Sequence, residues 1–118
     1  MRTRMRGDLT RAMKDRDEIS VTALRSAIAA IDNAEAVDLG AAPTAPLGSE
    51  HVAGATAGVG SAEAARRVLD RAEVEAIVRA QVDERLAAAT EYDTLGAPGR
   101  AERLRSEADV LSAYLPAP

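Results

Sequence analysis

The chain has 118 residues, a net charge of −4 and 47% apolar residues, but it contains no Trp, Phe or Cys and only two Tyr. This length predicts a single domain, residues 1–118. The absence of cysteine excludes disulfides and thiolate metal sites and indicates a cytoplasmic protein. No stretch approaches the roughly 20 continuous apolar residues that a membrane span needs, so we expect no membrane association.

Residues 1–37 carry the pattern of a helical hairpin. In the first predicted helix, residues 1–15, the apolar positions are Met5, Leu9, Ala12 and Met13. In the second, from Glu18 to Val37, they are Leu24, Ala27, Ile28, Ile31 and Ala34. Spacings of three and four residues place each set on one helix face. The charged stretch between the helices, 14–18, predicts a solvated turn.

The composition changes between Asp38 and Gly60. Two prolines and five glycines fall in this window, and no helical or alternating period is visible. The sequence therefore predicts a flexible Gly/Ala/Pro-rich loop, long for a compact domain. The single histidine, His51, lies inside it with only Glu50 adjacent, and we interpret it as an exposed loop residue rather than a metal ligand or a base.

Residues 61–118 predict a second helical hairpin. A short helix is expected over 62–69 and a long one over 71–95, with apolar positions Val74, Ile77, Val78, Val82, Leu86 and Ala89. The stretch 96–99 contains two glycines and a proline and should end it. A last helix follows over 99–114, with Ala101, Leu104, Ala108, Leu111 and Leu115 on its buried side.

No stretch alternates apolar and polar residues as a strand would. The predicted fold class is therefore all-α, with two helical hairpins packed as a four-helix arrangement and the long loop between them. Both tyrosines lie near helix ends, where they would cap the core.

The charge of the chain is unevenly distributed. Residues 1–16 carry a net charge of +4, so the remainder carries −8. A basic segment of this kind either contacts a phosphate backbone or is simply a solvated helix face. The candidate phosphate-contacting residues are Arg2, Arg4, Arg6, Arg11, Lys14, Arg16 and Arg25. The acidic residues alternate with arginine on faces that the apolar stripes predict to be exposed.

The residues alone favour a non-catalytic module that needs no cofactor. The chain has no cysteine, and its one histidine lies in the predicted loop, so no nucleophile and base pair can be argued. Inward Glu-x-x-His pairs, which di-metal helical bundles use, are absent. Two tyrosines are too few for a base-stacking platform.

Several short motifs, taken in order, resemble the GatB/YqeY family. The N-terminal half carries Asp8-Leu9, Ala12-Met13-Lys14, Arg16-Asp17, Leu24-Arg25 and Asn33-Ala34-Glu35. The C-terminal half carries Glu73-Val74, Glu84-Arg85, Tyr92 before Gly99-Arg100, and a Glu-Ala-x-Val-Leu-x-x-Tyr-Leu-Pro signature from Glu107 to Pro116. The resemblance covers about two-thirds of the chain, all but the middle.

The resemblance implies a relation to the tRNA-binding tail of the tRNA-dependent amidotransferase. At family level it implies carbon–nitrogen ligase activity with glutamine as amide donor, although in that enzyme the chemistry takes place in other domains. Family members usually continue past the Tyr-Leu-Pro with a further helical domain, so the resemblance is to a short form without that tail. Three roles stay open: contact with tRNA, a protein-interaction or homodimerisation role, and an enzyme in its own right.

Overall fold

The computed structural model describes residues 1–41 and 68–117, and their side chains except those of 37–41. These residues form four helices and no strand. The helices are α1 (Arg2–Asp15), α2 (Glu18–Ala41), α3 (Arg71–Thr94) and α4 (Pro98–Ser112). The predicted all-α class is confirmed.

The chain divides into two compact units, one of Met1–Ile31 with Arg71–Pro118 and one of Asp32–Asp70. The first unit holds α1, α3, α4 and the start of α2. The second unit holds the end of α2. A single domain over residues 1–118 stays a prediction.

The helix boundaries follow the predicted ones with one clear correction. Helix α2 does not end at Val37 but runs to Ala41, through the glycine at position 40. One glycine costs a helix only about 1 kcal/mol, and no proline interrupts this stretch, so the helix continues. The remaining loop, His51 and most of the short helix at 62–69 lie outside the described residues. Val68 and Leu69, at the end of that predicted helix, are not helical.

The core of the first unit is rich in alanine. Six of its thirteen buried apolar residues are alanine, which lets helices approach closely but buries little area per residue. The six alanines are Ala12, Ala23, Ala27, Ala89, Ala101 and Ala108, and the larger residues are Met5, Leu24, Ile31, Val78, Val82, Leu111 and Tyr114. Helices α3 and α4 pack against each other. Their antiparallel register follows from the ion pairs Asp93–Arg105 and Arg85–Glu107.

Two residues of the predicted apolar stripes are exposed instead. The exposed fraction is 49% for Met13 and 44% for Leu86. Met13 lies 100° around the helix from the buried Ala12, which takes it past the edge of the core-facing stripe. Leu86 is likewise displaced from the line of Val78, Val82 and Ala89. Ala23, which is not part of a predicted apolar stripe, is fully buried.

Helices α1 and α3 end in the same backbone motif. At the end of α1, Asp17 N–H donates to Ala12 C=O at 2.9 Å and Arg16 N–H to Met13 C=O at 3.2 Å. At the end of α3, the N–H groups of residues 97 and 96 donate to the equivalent carbonyls at 2.8 and 3.1 Å. Both are Schellman motifs, which need a left-handed residue. That residue is Gly96 (φ 78°) in α3 and Arg16 (φ 58°) in α1.

We predict that Gly96→Ala lowers the free energy of unfolding by about 1–2 kcal/mol, because a Cβ disfavours the left-handed conformation. Gly99→Ala is the matched control. Gly99 is helical and has open space around an added Cβ, so that substitution should not destabilise. Arg16→Gly should stabilise by about 1 kcal/mol for the converse reason. Urea unfolding measures all three, and equal losses for the two alanine variants would contradict this account.

Candidate functional site

An open groove runs along α1 within the first unit. Its volume is about 300 Å³. Helix α1 contributes Arg4, Asp8, Arg11 and Asp15 to one wall, and the start of α2 and the end of α4 form the rest. The buried Leu24 lies at its base. The groove therefore combines an apolar base with charged walls, which is the usual character of a binding site.

A polar cluster joins the two ends of the chain in this groove. The Tyr114 hydroxyl donates a hydrogen bond to Asp8 Oδ2, although the residues lie 106 positions apart. The Arg11 guanidinium donates to Asp8 Oδ1 and forms an ion pair with it. The guanidinium of Arg4 lies over the Tyr114 ring, with Cζ 4.6 Å from the ring centroid. Such a cation–π contact adds about 0.5–1 kcal/mol at an exposed site.

The cluster fixes the protonation states of its two acids. The hydrogen bond from Tyr114 is the main cause that lowers the pKa of Asp8, and the charges of Arg11 and Arg4 act in the same direction. Burial and then the hydrogen bond to Asp8 raise the pKa of Tyr114 to about 12. At neutral pH the carboxylate is therefore ionised and the phenol protonated, so the pair is a stable donor and acceptor rather than a reactive couple.

The seven predicted phosphate-contacting residues do not form one patch. Arg4 and Arg11 line the groove, where they meet the carboxylates Asp8, Asp15 and Asp17. With three carboxylates and two guanidinium groups, the groove is not a basic surface.

The other five candidates lie elsewhere. The 100° helical step places Arg2 and Arg6 on the side of α1 away from Arg4 and Arg11. Arg16 lines a second groove of about 370 Å³, with Met13, Glu18, Val21 and Thr22. Lys14 and Arg25 are exposed on α1 and α2.

The start of α2 is capped by an acidic residue of the groove. Asp17 Oδ1 accepts a hydrogen bond from Ser20 N–H at 3.2 Å, and Oδ2 accepts one from the Ser20 hydroxyl at 2.7 Å. These bonds lower the pKa of Asp17, the hydroxyl being the main cause. The cap fixes the turn between α1 and α2 and hence the groove wall.

A second polar cluster lies between α3 and α4. Arg85 Nε donates to Glu107 Oε1 at 2.9 Å, and the exposed fractions of their side chains are 10% and 7%. Arg85 Nη1 also donates to the backbone and side-chain oxygens of Gln81, at 3.2 and 3.0 Å. Arg103 Nε lies 3.4 Å from Glu107 Oε2. The ion pair spans the two helices in a largely dry position.

Sequence reasoning missed these two clusters as contacts. It placed the acidic residues on exposed faces, which is wrong for Glu107 and for Glu35, both buried. The spacing contained a signal, since Arg85 continues the line of Val78, Val82 and Ala89 at steps of four, three and four. Asp8 was noted as a motif residue, and Tyr114 as a motif residue that caps the core, but no pattern in a sequence reports a pairing across 106 positions.

Within the described part of the chain, no group of three or more His, Asp or Glu side chains could hold a metal ion. None of the helices within residues 1–41 and 68–117 is both long enough and apolar enough to cross a membrane. Comparison with protein-family models, with curated proteins and with solved structures finds no match for this chain. The resemblance to the GatB/YqeY family therefore stays a prediction from its motifs.

We predict that Tyr114→Phe lowers the free energy of unfolding by about 1 kcal/mol at pH 7, because it removes a hydrogen bond to a charged group. Asp8 has a lowered pKa in the folded state, so its stabilisation is present above about pH 4 and is lost as pH falls through that lower pKa. Tyr114 has a raised pKa, so its stabilisation is present below about pH 10 and is lost as pH rises through about 12.

The difference between wild type and Tyr114→Phe should therefore be constant from about pH 5 to 9 and shrink at both extremes. Urea unfolding across this range measures it. Tyr92→Phe is the matched control, since Tyr92 has Arg100 over its ring but no bond to Asp8. A pH-independent loss for Tyr114→Phe would contradict the role of Asp8.

We predict that Arg85→Met lowers the free energy of unfolding by about 3 kcal/mol, because it leaves the buried Glu107 carboxylate without its main partner. Arg103→Met should cost under about 1 kcal/mol, since that side chain is 48% exposed. The double variant Arg85→Met/Glu107→Leu should recover most of the loss. Equal costs for the two arginine variants in chemical unfolding would show that burial of the pair is not the cause.

Proposed function

We propose that this chain is a non-catalytic helical module of the GatB/YqeY type that acts in the cytoplasm by binding. The supporting observation is that residues of the motif set make the contacts that hold the described fold together. Asp8 pairs with Tyr114, and Arg85 pairs with Glu107. A set of motifs that marks a shared fold would retain residues of this kind.

The partner that the resemblance suggests is tRNA. Contact with phosphates would come from the cations of α1 and from Arg25 on α2. The ligase activity assigned at family level, with glutamine as amide donor, would then belong to an assembly in which this module contributes binding. The groove cluster supports this division of roles, because the ionised Asp8 and the protonated Tyr114 form a stable acceptor and donor pair.

A protein-interaction role is the second candidate, and the groove favours it. Its walls carry both signs of charge, with more carboxylates than guanidinium groups. Phosphate backbones repel carboxylates, whereas protein surfaces supply both signs. The apolar base contributed by Leu24 also suits a protein side chain better than a phosphate.

We predict that labelled total tRNA binds the protein with an affinity that falls steeply as salt rises, because bound phosphates displace counterions. Lys14→Gln/Arg25→Gln should reduce the slope of log K against log salt by about 1 for each phosphate that the variant no longer neutralises. Both residues are exposed and lie outside the Asp8 cluster. Fluorescence anisotropy at several salt concentrations gives the slopes.

The matched control is Arg71→Gln/Arg79→Gln, which removes two exposed positive charges from α3. This double variant should leave the slope unchanged. If both double variants reduce the slope equally, the binding reflects general charge attraction. The assignment of the phosphate contacts to α1 and α2 would then be wrong. No binding at low salt would overturn the tRNA role and leave the protein-interaction candidate.

A further inference from the structure

The charges on the groove face of α1 alternate in sign. Arg4, Asp8, Arg11 and Asp15 are spaced by four, three and four residues, so they lie on one helix face with alternating sign. The midpoint of the four positions lies between Leu9 and Thr10, and the charges on its two sides are opposite in sign. Each position has a counterpart of opposite charge at the same distance on the other side of that midpoint.

This order has a consequence for a second copy of the chain. When two identical helices cross antiparallel about a two-fold axis at their midpoints, residue 4 of one meets residue 15 of the other, and residue 8 meets residue 11. Here both meetings join an arginine with an aspartate. The two-fold axis repeats each of them, so four ion pairs of opposite charge form and no like charges meet.

We propose that the chain forms a homodimer through antiparallel packing of α1 against α1 of a second copy, with the groove face as the interface. The proposal names a partner for the protein-interaction candidate above and rests on it.

The side chains of this face support such an interface. Asp15 is exposed and has no ion-pair partner among the described residues. Arg11 is 68% exposed and uses one of its five N–H donors on Asp8. Asp15 and Arg11 can therefore each accept a partner without breaking the Tyr114–Asp8 bond. Beside them, the apolar base of the groove offers area to bury.

The competing surface is the second groove, where Met13 is exposed. Its only charges are Arg16 and Glu18, so it lacks the four-position pattern. We therefore place the second copy on the first groove. An interface built on one helix from each copy is small, so the dimer should be weak and sensitive to salt.

Sedimentation velocity over about 10 µM to 1 mM protein tests the proposal, since weak self-association falls in that range. The wild type should move from monomer to dimer, and added salt should reverse this. Asp15→Arg places Arg4 against a new arginine twice, and Arg4→Glu places the new glutamate against Asp15 twice. Each variant should weaken the dimer about tenfold or more.

The decisive experiment is to mix the two variants and measure their association with each other. In a mixed dimer every pair again joins opposite charges, so Asp15→Arg and Arg4→Glu should associate with each other about as tightly as wild type does with itself. Asp109→Arg, on the exposed side of α4, is the matched control and should not change association. Circular dichroism verifies the fold of Arg4→Glu, because its side chain no longer stacks on the Tyr114 ring.

A monomeric wild type at the highest concentration would overturn the proposal. So would a dimer that Asp15→Arg leaves intact, or two variants that fail to associate when mixed. The tRNA titration tests the tRNA role independently of the dimer. A monomeric protein that still binds tRNA would contradict the dimer and support the tRNA role. If the chain is monomeric and a different protein binds in the groove, the protein-interaction role is supported and only the homodimer is contradicted.

Discussion

The arrangement of the groove depends on the hydrogen bond from Tyr114 to Asp8. It joins the end of α4 to α1 in a structure whose core is rich in alanine. Alanine packing brings helices close but contributes little area, so each specific polar contact provides a larger share of the net stability. Arg4 and Arg11 lie beside the pair and favour the ionised form of Asp8, whereas burial and the hydrogen bond to Asp8 keep the Tyr114 phenol protonated.

The helices themselves were predictable because a helix is a local structure. Its 3.6-residue period and its end signals lie within a few consecutive residues, as for Gly96 at the end of α3. Residues at the edges of the stripes were less predictable. Met13 and Leu86 are apolar and were expected inside, whereas Ala23 is small and gave no signal. A position about 60–100° from the centre of a stripe is buried or exposed according to its neighbours on other helices, which a single helix does not reveal.

The candidate site was harder to predict because its contacts are long-range. Net charge identified α1 as basic, but it could not show that Arg4 and Arg11 lie beside Asp8, Asp15 and Asp17 in a groove. Arg85 and Glu107 were treated as exposed because charged residues usually are. Their pairing is consistent with a role in fixing the register of α3 against α4, since a shift of one helix along the other would leave both charges without a partner.

The order of the charges along α1 is therefore more informative about its partner than its net charge is. A helix selected only for phosphate contact gains from each added cation and loses from each added carboxylate, so carboxylates on the contact face are costly. The groove face carries an aspartate for every arginine, in an order that is complementary to its own reverse. The order is expected where the helix meets a copy of itself, and the cations outside the face, such as Lys14, are left to contact a different partner.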